Sequence, residues 1–247
     1  MKQLLQLALL LSLVGTTACE EKSPEAMAEA TSADIPAMSI DTTTQLTVYY
    51  PQFKTIDLVC GDMPAMTDSR VTMCLAAAFT GKRSDTFSHD NIAGNHVSGG
   101  EFHKGYDCTA NTGTFVYYDK HWQFLPTTHS DSITRAADAE GMAFSQIMLV
   151  YNGHVLSCDV GGRNRFRALC EADGQLCIAE SRHLQDIGAF QKSLADYGMH
   201  HALYLQPGQG WNYSWYRDAD GLTHVMHPKT HDYATNWLTF YLPPQQP

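Results

Sequence analysis

The stretch Asp186–Trp211, DIGAFQKSLADYGMHHALYLQPGQGW, decides the fold of this chain. Asp186 can accept from the free backbone N–H groups that open a helix, and Ile187, Phe190, Leu194 and Tyr197 follow at helical spacing. Gly198 then supplies the left-handed conformation in which helices commonly end. His201 to Leu205 reads as a buried strand, and Gln206-Pro207-Gly208-Gln209-Gly210 as the loop at its carboxyl end. Loops held by a rigid strand are where binding and catalytic groups concentrate.

Strand signals fill the sequence on both sides of this cassette. Gln45 to Tyr50 alternates in polarity, Thr55 to Cys60 is branched and apolar, and Val71 to Phe79 is almost continuously apolar. Three hairpins are expected: Thr114–Tyr118 with Trp122–Phe124 around Asp119-Lys120, Ala143–Tyr151 with His154–Cys158 around Asn152-Gly153, and Phe166–Cys170 with Gln175–Glu180 around Asp173-Gly174. Leu222 to Met226 and Trp237 to Tyr241 close the series. Helical periodicity is confined to Ile187–Tyr197 and to Ser132–Ala139, which opens on a serine cap. The expectation is a single α+β domain, with a strand-rich mixed sheet core and a few packed helices.

The amino terminus reads as an export signal. Met1-Lys2, the apolar run Leu4 to Val14 and the small residues before Cys19 describe a bacterial lipoprotein leader over residues 1–18, with Cys19 as the lipidated residue. Thr16 stands where leucine is usual in such leaders, so ordinary signal cleavage near Ala18 is the competing reading. Residues 19–44 are rich in Ser, Ala, Thr and Pro and read as a flexible tether, which leaves 45–247 as the folded domain. The whole chain holds 44% hydrophobic residues and a net charge of −10, which argues against nucleic acid and against an anionic membrane surface as partners. The membrane contact expected is the lipid alone.

Seven cysteines become six when Cys19 carries lipid, and in an exported chain an even number suggests disulfides. Counting back from Asp173-Gly174 sets Cys170 opposite Cys177, the favoured pair. Cys60 and Cys74 flank a Gly/Asp/Pro connection and form the second. Zinc is the alternative for these thiols, although Cys-x-x-Cys spacing is absent; no metal and no cofactor is expected. His224, His227 and His231 fall on a strand and a Pro loop and read as surface histidines.

Several motifs, in order, resemble the phosphodiester glycosidase family. They are Cys74-Leu75-Ala76-Ala77-Ala78-Phe79, His96-Val97-Ser98-Gly99-Gly100, Asn111-Thr112-Gly113-Thr114-Phe115, Met148 to His154 with its Asn152-Gly153 turn, Arg165 to Cys170 with Asp173-Gly174, and the opening cassette. The family's loop reads Leu-Asp-Gly-Gly-Gly-Ser where this chain has Leu205-Gln206-Pro207-Gly208-Gln209-Gly210. Ala76 stands at the family's asparagine, Cys170 at a glycine and Gln206 at the aspartate. The resemblance implies hydrolysis of sugar-1-phosphodiester linkages in glycans, and the leader places that activity in an exported, lipid-anchored protein of the bacterial periplasm or outer membrane.

That chemistry needs a cationic grip on phosphate and an acid/base or electrostatic group at the sugar. Arg165 and Arg167, two apart on one strand face, are candidates for the grip, against the plainer alternative of a surface ion pair; the resemblance favours Arg167 as catalytic. His89, Asp90 and His96 form a titratable cluster that either does acid/base work or knits a loop together, and the resemblance selects His96. Gln206 replaces the expected carboxylate and can hold a hydroxyl but cannot act as a base. Gln209, Trp211, Asn212 and Tyr213 offer amides and aromatic faces to a sugar, or pack over the sheet end. Two further functions stay open: a glycan- or phosphate-binding module that does not cut, and a structural envelope protein.

Overall fold

A computed structural model describes residues 38–81, 87–206, 214–226 and 235–243. The leader, Cys19, Gln209, Trp211, Asn212, Tyr213, His227 and His231 lie outside the described residues. In chain order the strands are β1 (Met38–Thr42), β2 (Leu46–Pro51), β3 (Thr55–Cys60), β4 (Val71–Ala76), β5 (His96–Ser98), β6 (Glu101–His103), β7 (Gly113–Tyr118) and β8 (His121–Leu125). Helix α1 (Asp131–Asp138) precedes β9 (Met142–Gln146), β10 (Met148–Tyr151), β11 (His154–Val155), β12 (Arg167–Ala172) and β13 (Gln175–Ser181). Helix α2 (Ile187–Tyr197) precedes β14 (His201–Leu205), β15 (Ser214–Arg217), β16 (Thr223–Met226) and β17 (Asn236–Tyr241).

The strands form three sheets: β1-β2-β13-β12-β14-β10-β11, β16-β15-β4-β17-β3 and β6-β5-β9-β7-β8. All ladders between these strands are antiparallel, and two α-helices occur among the described residues. The α+β expectation of a mixed sheet clothed in helices is therefore wrong; the domain is mostly β. In β4, Met73 and Leu75 join a core shared with the other two sheets, while Val71, Cys74 and Ala76 on the opposite face bury among Trp215 and Trp237 of their own sheet and the loop residue Met63. Leu58, Leu75 and Leu238 of the second sheet meet Leu169, Ile178 and Leu203 of the first and Phe115, Met142 and Phe144 of the third in one core.

Each helix has one outer face to cover. Phe190 and Leu194 of α2 bury against Ala168, Cys170 and Ala179 behind the first sheet, while Ile133 and Ala136 of α1 bury against Val97 and Val116 behind the third. Burying a side chain of this size contributes about 1.5–3 kcal/mol. Asp186 accepts from Ala189 N at 2.8 Å, and Gly198 ends α2 at φ 96°, as its sequence predicts. Asp119 and Lys120, Asn152 and Gly153, and Asp173 and Gly174 all take positive φ, the requirement of two-residue hairpins that follow the strand twist.

Some boundaries differ from expectation. The run Ala143–Tyr151 is two strands, because the chain passes from the third sheet to the first at Ile147. Gln146 Oε1 accepts from Ile147 N at 2.9 Å there, and Ile147 O accepts from Tyr204 N at 2.9 Å. The strand expected at His154–Cys158 shortens to β11. Strand β1 lies within the stretch read as tether, and it pairs with β2 from Met38↔Pro51 to Thr42↔Thr47.

Cys170 does stand opposite Cys177, but both thiols are free, directed to Ala168 O and Met199 Sδ respectively. Cys60 and Cys74 are also free, and topology keeps them apart. β17 lies between their strands, with Cys60 opposite Asn236 and Cys74 opposite Thr239. Two ladder steps amount to roughly 9–10 Å, beyond the ~7 Å Cα reach of a disulfide.

Candidate functional site

The site is built on one row of the first sheet. The register aligns Thr47 with Glu180, Glu180 with Arg167 and Arg167 with Leu205, all on the face turned to the shared core. Arg167 is fully buried. Its Nε donates to Glu180 Oε1 at 2.6 Å, its Nη1 donates to Ser214 Oγ at 2.7 Å, and its Nη2 makes an ion-pair contact with Glu180 off hydrogen-bond alignment. Because Ser214 belongs to β15, this guanidinium joins the first sheet to the second.

Glu180 floors a cleft of about 370 Å³ lined also by Tyr49, Arg165, Arg182, Tyr216 and His224. Arg165 precedes β12 and is exposed, with no ion pair among the described residues, so it is the solvent-facing cation of the pair. Arg182 reaches the cleft while donating to Thr43 O at 2.8 Å. His224 Nε2 meets Asp218 Oδ2 at 2.5 Å and its ring stacks on Tyr216 at 4.9 Å. The hydrogen bond from His224 holds the Asp218 carboxyl below its usual range. Burial, then the neighbouring Glu180, pushes the Tyr49 hydroxyl well up, so it stays a neutral donor.

The residues singled out from sequence divide into two groups. Arg165 and Arg167 come together at the cleft, one open and one sealed beneath it. Gln206 follows Leu205, the ladder partner of Arg167; it is buried, with its Oε1 accepting from Thr80 N and its N donating to Ala77 O, both at 3.1 Å. It thus touches the exit of β4, at Ala77 and Thr80, one and four residues beyond Ala76. Residues 207–213 are bracketed in sequence by Gln206 and Ser214, both next to Arg167 in the senses just given.

His96 is placed elsewhere. It sits buried on β5, with its Nε2 2.9 Å from His89 Nδ1 and its Nδ1 3.2 Å from Gly94 O. Burial pushes its pKa down to about 4, and burial with the nearby His103 lowers that of His89. Cys60 adjoins them, its thiol pushed up to about 11 by burial. The Gly99-Gly100 turn lines a separate cleft of about 670 Å³ with Lys54, Asp57, Arg70 and Tyr241. Although larger, that cleft holds neither Arg167 nor Gln206.

Glu180, Ser214, Tyr216 and Asp218 were not singled out from the sequence, and His224 was read as a surface histidine. Only Glu180 was within reach: the register that sets Cys170 opposite Cys177 also sets Arg167 opposite Glu180.

No known family profile and no curated protein matches this sequence. Among solved structures, the chain matches the zebrafish N-acetylglucosamine-1-phosphodiester alpha-N-acetylglucosaminidase catalytic domain, auto-inhibited by its pro-peptide, at a TM-score of 0.55 and 10% identity. The match covers 85% of this chain and 83% of that one. The fold resembles that catalytic domain.

Proposed function

We propose that this chain is an exported, lipid-anchored envelope protein whose domain hydrolyses sugar-1-phosphodiester linkages in glycans. The observation that carries the reading is the cleft over Glu180. Arg165 and Arg182 offer planar cations for a phosphodiester, and the sealed Arg167 holds the Glu180 carboxylate in place at its floor. His224, oriented by Asp218, brings an imidazole to its rim, a side chain able to pass a proton to or from a bound substrate. The likeness to a phosphodiester glycosidase fold supports the substrate class.

The test incubates the full chain with N-acetylglucosamine-1-phosphate methyl diester and follows free sugar. Release is expected, and Arg165→Ala should lower kcat/KM by roughly 10–100-fold, the worth of a hydrogen bond to a charged group. Arg165 is the informative cation because its loss leaves the core intact. Absence of both release and saturable binding would sink the reading. One observation favours a second reading, a binding module: Gln206 offers an amide, not a carboxylate, to the exit of β4. Saturable binding of the diester without release is the signature of that alternative.

The anchor rests on the leader and Cys19. Expressed in a bacterium that lipidates exported proteins, the chain should partition with membranes, and Cys19→Ser should release it. Wild-type protein already soluble, with an amino terminus other than Cys19, would refute the anchor.

A further inference from the structure

Two clusters of ligating side chains come together among the described residues, and one of them has a buried member, His96, with Cys60 and His89 half-buried beside it. Cys60 ends β3, His89 sits in a 3₁₀ turn (His89–Asn91), and His96 opens β5. Their sulfur and ring nitrogens all lie within 4.8 Å of one another. Ser98 Oγ donates to Leu58 O at 2.7 Å, which ties the strand bearing His96 to the strand bearing Cys60 close to both residues. The turn carrying His89 is fixed in its turn: Ser88 caps it, and Gly81 N donates to Asn91 O at 2.7 Å.

The tautomer of His96 is set by its surroundings. Only a protonated Nδ1 can face the Gly94 carbonyl, so Nε2 carries the lone pair and points to His89. An imidazole whose outer nitrogen donates to a backbone carbonyl is the arrangement that presents the other nitrogen to a metal. Two nitrogens bound at ~2.0–2.1 Å in a tetrahedral site are about 3.3 Å apart, close to the 2.9 Å between His96 Nε2 and His89 Nδ1. Closing Cys60 onto the same ion takes a shift of no more than about 1 Å, since all three ligating atoms already lie within 4.8 Å. One thiol with two imidazoles is a donor set for a late first-row divalent ion, and not for magnesium or calcium, which take oxygen ligands.

We infer that Cys60, His89 and His96 form a binding site for zinc(II), with the fourth position open to water. Cys60 binds as the thiolate, its proton passing to solvent, and His89 gives up its Nδ1 proton to solvent and takes one at Nε2, so that its Nδ1 lone pair meets the ion. His103, stacked on the His89 ring at 3.4 Å and opposite His96 across β5 and β6, braces the two imidazoles. The site lies apart from the cleft over Glu180, so it stands or falls independently of the sugar-phosphate reading.

The experiment uses the full chain without a histidine tag, kept reduced with a phosphine that does not bind metal. Zinc(II) is titrated against a chromophoric chelator, and cobalt(II) is bound in parallel for its absorption spectrum. One tightly held ion per chain is expected, with a thiolate-to-cobalt charge-transfer band. Cys60→Ser should abolish the band. Both Cys60→Ser and His89→Gln should weaken zinc by more than the roughly 10–100-fold that loss of an outer-shell partner brings. His201→Gln, in the more exposed Glu171–His200–His201 cluster, should change neither readout. If Cys60→Ser does not fold by circular dichroism, His89→Gln on the surface turn decides alone. Absence of a stoichiometric ion, affinity unchanged in His89→Gln, or affinity lost only in His201→Gln would overturn the site.

Discussion

Arg167 carries a fixed charge into a place that water does not reach. Its two partners, Glu180 and Ser214, come from different sheets, so the side chain is a structural tie before it is anything else. Arg167→Ala removes a buried guanidinium with its bonds to Glu180 and Ser214, and a loss of about 3–5 kcal/mol is expected in urea unfolding. Arg167→Met combined with Glu180→Leu should recover most of it, which a double-mutant cycle measures. The sequence reading held both arginines as candidates for the phosphate grip and favoured Arg167 on the family resemblance; residue type and strand phase alone do not report which of the two faces solvent. The Asp218–His224 pair was out of reach for another reason: it depends on a turn closed by Asp218 itself, which accepts from Asp220 N and Leu222 N. At Gln206, a carboxylate beside the Thr80 N–H would be held ionised by that donor. Gln206→Asp should therefore raise diester hydrolysis; a folded mutant with no gain would show that the amide is not what limits the site.

Elements whose instructions lie in adjacent residues were legible. Helix α2 begins and ends where its cap and glycine say, and each two-residue turn took the positive φ that its residues tolerate. Asp186→Ala should lower stability by about 1 kcal/mol through the lost cap. Gly198→Ala should lower it by roughly 1–2 kcal/mol, since alanine at φ 96° clashes with its own backbone. Both are read from the midpoint of chemical denaturation at unchanged slope. The division of Ala143–Tyr151 into β9 and β10 was not legible. Every residue there is compatible with a single strand, and the break comes from which sheet offers a partner ladder on each side of Ile147.

For the whole molecule, the assignment of layers went wrong where local signals say nothing. Continuous apolar runs predict burial on both faces without saying whether a helix or another sheet does the covering. The answer is a core shared by three sheets, with Phe115 packed against Phe124 and Phe144 at its centre. Phe115→Ala should destabilise by about 3–5 kcal/mol. Because the core is common to all three sheets, near- and far-ultraviolet circular dichroism should still report one coincident transition; separate transitions would show that the sheets fold as independent bodies.

The passage of the backbone through Ile147 has a mechanical consequence. Two layers joined by a slack loop can slide past one another while the loop takes up the displacement. Here there is no slack: Gln146 ends one ladder, Met148 begins the next, and Ile147 is hydrogen-bonded at both its N and its O. A shearing force between the third sheet and the first is therefore borne by the covalent chain and by two sets of hydrogen bonds at once, so the layers should resist sliding and yield together.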